Sequence, residues 1–170
     1  MFSKNTLLAG MDARVRIGMV GPEQQDLLIE MYDQYEPLGM ALGLPPRTAA
    51  ARREWILSAL DQKVNVAAFS PAGEVVGHCF LAADEPHSAE LAIFIRQEFR
   101  RRGIGSALVI AALERGGAAG LRRVWTMTPS GNRPALQLQK NCGFRVMKSV
   151  YPADELEIDL PLRRAALEMR

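Results

Sequence analysis

Along this chain apolar residues alternate with polar ones, recur every three to four positions, or are interrupted by Gly and Pro. Residues 14–20 alternate roughly, as a short strand does, and Gly21-Pro22 breaks the run. Residues 22–35 carry Leu27, Leu28, Met31 and Tyr35 at the spacing of one helix face. Residues 37–46 are rich in Gly and Pro and read as a loop. Residues 48–60 predict a second helix, with Ala51, Trp55, Leu57 and Leu60 toward the core. Two strands follow at 64–69 and 75–83, joined by the turn Ser70-Pro71-Ala72-Gly73. A third apolar strand, 90–95, is entered through Glu85-Pro86-His87-Ser88.

The second half changes character. Residues 103–119 are helical in pattern, with Leu108, Ala111, Ala112 and Arg115 near helical spacing, and residues 121–127 are rich in strand formers. Residues 132–141 predict a short helix capped by Asn132, with Pro134 in its first turn and Cys142-Gly143 ending it. Residues 144–151 and 156–160 close the pattern as an antiparallel pair. The order is β-α-α-β-β-β-α-β-α-β-β. Its strand–helix–strand run from 90 to 127 implies a right-handed parallel crossover in an otherwise antiparallel sheet. The expected fold class is therefore α+β, a single domain with a mixed, mostly antiparallel sheet flanked by helices. Residues 1–13 read as a loose arm, 14–162 as the domain and 163–170 as a tail.

Composition narrows the picture. The 170 residues are 48% apolar, enough for a sizeable core, and the formal charge of +2 is small for a nucleic-acid binder. Cys79 and Cys142 sit in apolar segments without partners at metal-binding spacing, so neither a disulfide nor a metal site is expected. No apolar run reaches the length of a membrane span, and the first residues lack the form of a signal peptide. The expectation is a cytoplasmic protein that binds neither nucleic acid nor membrane.

The most informative stretch is Ile93-Phe94-Ile95 followed, after Arg96 to Phe99, by Arg100-Arg101-Arg102-Gly103-Ile104-Gly105-Ser106. A strand ends there and a helix begins, with two glycines at the junction. Glycine lets the backbone approach a ligand closely and take up positive φ. The first N–H groups of a helix have no intrahelical partner, and the helix dipole adds partial positive charge. That combination suits a pyrophosphate, with three arginines beside it. The stretch is neither a Walker loop nor a dinucleotide fingerprint, because the spacings differ. A helix start beside a solvated basic triplet is the plainer alternative.

Arg100-Arg101-Arg102-Gly103-Ile104-Gly105 resembles the R/Q-x-x-G-x-G/A motif of the GNAT acetyltransferases. Asn132-Arg133-Pro134-Ala135 and Lys140-Asn141-Cys142-Gly143-Phe144 resemble the second block of that family, in the same order, so the likeness covers roughly residues 14–162. The surroundings of Ala89-Glu90-Leu91-Ala92 look similar to the bacterial protein-lysine acetyltransferases. The resemblance implies a sheet splayed at its central parallel pair, after residues 90–95. The pantetheine arm of acetyl-CoA, the co-substrate, would lie in the gap. Backbone groups of Ile93, Phe94 and Ile95 would bond it like an added strand. The amides of Arg101, Arg102, Gly103, Ile104, Gly105 and Ser106 would hold the pyrophosphate, with the side chains of Arg100, Arg101 and Arg102 beside it, and Asn132 would face the cofactor. It implies acetyl transfer to a primary amine by direct attack. The acceptor would be a small molecule or a protein lysine, and a second copy of the chain is a further partner to test. The alternative is a catalytically weak domain that senses acyl-CoA.

Direct transfer needs a neutral amine, hence a base. Glu90 is the candidate, a lone carboxylate in an apolar strand whose pKa half-burial would raise. The alternative is a strand-end glutamate facing solvent. The family's usual acid is a tyrosine in the second block, and counting back from Gly143-Phe144 places Gln139 there. Glutamine cannot donate a proton at useful pH. The acid is then absent, water, or Tyr151 from the neighbouring strand. His78 reads as a core or face histidine, His87 as a solvated loop residue, Trp55 and Trp125 as core. Tyr32, Tyr35 and Glu36 fall where the family shapes its acceptor pocket, though packing explains the tyrosines equally well.

Overall fold

The computed structural model describes residues 14–147 and 155–162. Strand β1 (Arg16–Met19) leads through a 3-10 turn, Pro22–Gln24, into α1 (Gln25–Asp33). Then come α2 (Ala49–Leu60), β2 (Val64–Phe69), β3 (Val75–Glu85) and β4 (Ser88–Ile95). A second 3-10 turn, Gln97–Phe99, precedes α3 (Ile104–Ala118). The chain continues with β5 (Arg123–Pro129), α4 (Arg133–Asn141), β6 (Arg145–Val146) and β7 (Glu155–Pro161). The strands form one seven-stranded sheet in the order β1-β2-β3-β4-β5-β7-β6. Every neighbouring pair is antiparallel except β4 and β5, as the crossover through α3 requires.

Both faces of the sheet are covered. On one, Ile104, Leu108, Val109 and Ala112 of α3 pack over Val66, Val76, Leu81 and Leu91. On the other, Leu28, Met31 and Tyr32 of α1 and Ile56 of α2 pack over Ala67, Phe69, Phe80 and Phe94. That is why β2 is buried at all six positions and shows no alternation. The second face also holds a polar chain. The Asn65 amide donates to the carbonyls of Ala59 (2.9 Å) and Gln62 (2.8 Å), so its oxygen must accept from His78 Nε2, 2.9 Å away. Nδ1 of His78 then accepts from the Tyr32 hydroxyl at 2.8 Å. Three polar side chains buried from water are thereby satisfied across α1, α2, β2 and β3.

Several expectations shift. The first helix ends at Asp33 rather than Tyr35, and a 3-10 turn replaces its first residues. In α2 the buried face is Arg52, Ile56, Ala59 and Leu60, while Leu57 is 39% exposed and Trp55 only partly covered. Arg52 turns the helix that way. Its guanidinium meets Asp33 Oδ1 at 2.6 Å and the carbonyls of Pro46 and Arg47 at 3.1 and 3.0 Å, tying the preceding loop to both helices. β3 and β4 extend to Glu85 and Ser88, because His87 takes φ +67° and closes a tight hairpin. β5 starts two residues late, at Arg123, since Gly120 (φ +90°) ends the helix and Leu121 bonds back to Gly116. The strand expected at 144–151 is seen only as Arg145–Val146 within the described residues, and Tyr151 lies outside them, as do residues 1–13 and 163–170.

Candidate active site

The parallel pair is short. β4 and β5 are paired at Ser88↔Arg123, Ala89↔Val124 and Glu90↔Trp125, and no further. Beyond Glu90 both strands continue, β4 to Ile95 and β5 to Pro129, without touching as a ladder. The sheet therefore forks, with Glu90 at the apex. Arg96 N–H bonds back to Val76 of β3 at 3.0 Å. In an antiparallel ladder both backbone groups of one residue face the same side and alternate along the strand. Ile93 and Ile95 therefore turn their N–H and C=O into the fork, whereas Phe94 turns its own toward His78 of β3. The Phe94 ring goes to the opposite core, edge-on to Tyr32, Tyr35 and Trp55.

At the wide mouth of the fork sits the start of α3. Gly103 (φ +72°) and Arg101 (φ +63°) are both left-handed, the backbone conformation from which nests of N–H groups for anions are built. The first helical bond runs from Ala107 N to Gly103 O, so the amides of Ile104, Gly105 and Ser106 precede it. No side chain caps this helix. By contrast, Thr48 Oγ1 accepts from Ala51 N on α2, and Asn132 Oδ1 from Ala135 N on α4. The chain thus provides a bare helix N-terminus at the mouth of the fork, which fits a pyrophosphate.

The two glycines differ in role. Gly103 is needed for its backbone angle. A Cβ on Gly105 would stand 3.0 Å from Leu138 Cδ2 and 3.2 Å from Ile95 Cδ1, so Gly105 serves close packing of α3 against β4 and α4. The arginines differ as well. Arg100 Nε donates to Ile95 O (2.9 Å) and Nη2 to Glu36 O (2.7 Å), with the guanidinium over the Tyr35 ring. It ties the loop to the end of α1. Arg101 and Arg102 are exposed beside the nest, Arg102 over the Phe99 ring.

At the apex Glu90 is half-buried. Burial raises its pKa, and the nearby charge of Asp84 adds to the rise. Asp84 ends up lowered: its slight burial pushes it up, but hydrogen bonds led by the Trp125 indole outweigh that. Trp125 Nε1–H donates to Asp84 Oδ2 at 2.5 Å. Trp125 is therefore a residue of the apex rather than of the core. Neither it nor Asp84 stands out in the sequence, since they lie 41 positions apart.

Gln139 is 3% exposed, and its amide donates to Thr128 Oγ1 of β5 at 2.8 Å. It serves that buried bond. Asn132 is exposed at the head of α4, just past the end of β5, its side-chain oxygen engaged as a cap. His78 is fully buried and lies outside the fork, while His87 Nδ1 bonds Gly120 O at 2.9 Å on the hairpin. Among the described residues no helix is long and apolar enough to cross a membrane.

Residues 26–144 match the acetyltransferase (GNAT) family. Over 107 residues the chain is 28% identical to an L-methionine sulfoximine/L-methionine sulfone acetyltransferase of Pseudomonas paraeruginosa. That match spans 59% of this chain and 62% of the relative. A GNAT-family acetyltransferase from Streptococcus pneumoniae superposes with a TM-score of 0.72 at 20% identity, over 88% of this chain and 99% of that one. A phosphinothricin acetyltransferase from Sinorhizobium meliloti, solved in complex with acetyl-CoA, superposes with a TM-score of 0.71 at 19% identity, over 88% and 89%.

Proposed function

We propose, for a chain that belongs to the GNAT acetyltransferase family, that it transfers acetyl from acetyl-CoA to a primary amine by direct attack, with Glu90 as base. The observation that carries this is the fork itself. A titratable carboxylate stands at its apex, and an uncapped helix start stands at its mouth. Bound there, acetyl-CoA supplies an acetyl group activated as a thioester. The backbone of Ile93 and Ile95 faces the arm that would lie in the fork, and the amides of Ile104, Gly105 and Ser106 face its pyrophosphate. Asn132, at the head of α4 just past β5, would face the cofactor. Leu91, Ile93 and Ile95 turn their side chains into the apolar core on the α3 face beside the fork. Glu90, raised by burial and by Asp84, takes the proton that the attacking amine must lose.

Gln139 is buried and hydrogen-bonded, and supplies no acid. Tyr151 keeps that role as a proposal, to be tested by Tyr151→Phe. A small amine is the acceptor class we favour over a protein lysine, on the likeness to an acetyltransferase named for two small amino-acid analogues. The experiment is release of free thiol from acetyl-CoA with a panel holding L-methionine sulfone, a polyamine, an aminoglycoside and a lysine peptide. Amine-dependent release supports the reading. Tight binding of acetyl-CoA with no release for any amine overturns it and leaves a binding domain.

A further inference from the structure

Arg100 is committed in a direction that its place among three arginines does not announce. Its Nε donates to Ile95 O at 2.9 Å and its Nη2 to Glu36 O at 2.7 Å. The guanidinium also lies 5.4 Å from the centre of the Tyr35 ring. Burial pushes the Tyr35 phenol up, and the charge of Arg100 and a hydrogen bond from it pull the phenol back in part. One planar head group thus joins the end of β4 to the two residues just past α1. Its Nε–Nη2 edge is spent on main-chain oxygens and is not open to a phosphate.

The two carbonyls stand on the two sides of the chemistry. Ile95 O is one of the groups that β4 turns into the fork, beside the cofactor. Glu36 O belongs to the chain leaving α1 on the face opposite α3, where the Tyr35 ring meets Phe94 edge-on at 5.7 Å. Residues 33–38 line a cleft there of about 330 Å³. With a thioester lying in the fork, that face is the way in for an amine, because α3 packs over the other.

We propose that Arg100 is a positioning residue for the acceptor amine and not a ligand of the pyrophosphate. Its guanidinium pins Tyr35 and Glu36 to the cofactor strand and so fixes the wall past which the amine reaches the fork. This rests on the transferase reading above and adds what one side chain of that site does. A planar guanidinium holds two oxygens in fixed directions, whereas an ammonium on a flexible stem is a single point. Lysine at this position keeps the positive charge and loses the bridge. The pyrophosphate is then held by backbone amides, with the exposed Arg101 beside them.

The test compares Arg100→Lys and Arg100→Gln in the full chain, with Arg101→Gln as the contrast. Coenzyme A affinity is read by calorimetry, amide exchange by mass spectrometry, and kinetics by thiol release with the fastest amine of the panel. Both Arg100 variants should bind coenzyme A as the unaltered chain does and exchange faster at residues 34–38. Their amine KM should rise about tenfold, the scale of one lost charged hydrogen bond, with kcat little changed. Arg101→Gln should do the reverse, weakening coenzyme A binding and leaving both the exchange at 34–38 and the amine KM alone. Coenzyme A affinity that falls in Arg100→Gln and is kept in Arg100→Lys overturns the proposal, since charge alone would then matter. So does an unchanged amine KM in both variants, or exchange that quickens across β3 and β4 with no selective change at 34–38. In either of those cases, with acetyl transfer intact in the unaltered chain, the transferase reading stands. If the unaltered chain releases no thiol with any amine, that reading falls, and exchange and calorimetry still decide between a strut and a phosphate ligand.

Discussion

At the scale of single residues, Glu90 and the two glycines of the loop make opposite kinds of prediction. Glu90→Gln keeps size and hydrogen bonding but removes proton acceptance. The acetylation rate should fall by roughly 10²–10⁴-fold, with acetyl-CoA affinity nearly unchanged in calorimetry. Because its pKa lies above that of an ordinary glutamate, the rate of the unaltered enzyme should fall on the acid side as Glu90 takes up a proton. The deficit of the variant should shrink at high pH, where the amine deprotonates without help. An intact rate near neutral pH would remove Glu90 as base. Gly103→Asp keeps a residue that tolerates left-handed backbone but sets a carboxylate in an anion nest, so cofactor affinity should drop while the melting temperature holds. Gly105→Val should behave differently. Its new atoms meet Leu138 and Ile95 within 3.0–3.2 Å, an overpacking that costs about 1–3 kcal/mol. Loss of affinity should come with an earlier thermal midpoint, read by calorimetry.

At the scale of elements, the parts legible in the sequence were those set by neighbours along the chain. The turn at Ser70–Gly73, the cap at Asn132 and the strand-to-helix step at Gly103 are local chemistry, and the structure has them all. What escaped is fixed across distance. Arg100 reads as one of three equivalent cations, yet its guanidinium closes on the Glu36 carbonyl 64 positions away. Trp125 reads as core because nothing nearby announces Asp84. Arg52 rotated the face of α2 for the same reason. The polar chain Tyr32–His78–Asn65 joins four elements and yields its own test. Tyr32→Phe removes the donor to His78 Nδ1 and leaves that buried nitrogen unpaired. Denaturant unfolding should show a loss of about 1–3 kcal/mol, with acetyl-CoA binding little affected, since the chain stands on the far side of the sheet from α3.

For the whole molecule, that same histidine couples folding to pH. Burial lowers the His78 pKa from 6.5 to about 3. A group depressed by folding lends stability that is present above its unfolded pKa and is lost as pH falls through the folded one. Melting temperature should therefore decline between about pH 6.5 and 3, and His78→Gln should flatten that decline. The fork has a different consequence. Between Ile93–Ile95 and Met127–Pro129 the sheet exposes two open edges in its middle, where most sheets keep theirs at the rim. An open edge is a template for a stray strand from another molecule. Arg100 masks one carbonyl of it, at Ile95, and a ligand lying in the fork would mask more. Without cofactor, heated protein should cloud through these inner edges, and saturating coenzyme A should delay the onset of light scattering. On this view the cofactor guards its own binding cleft against other copies of the chain.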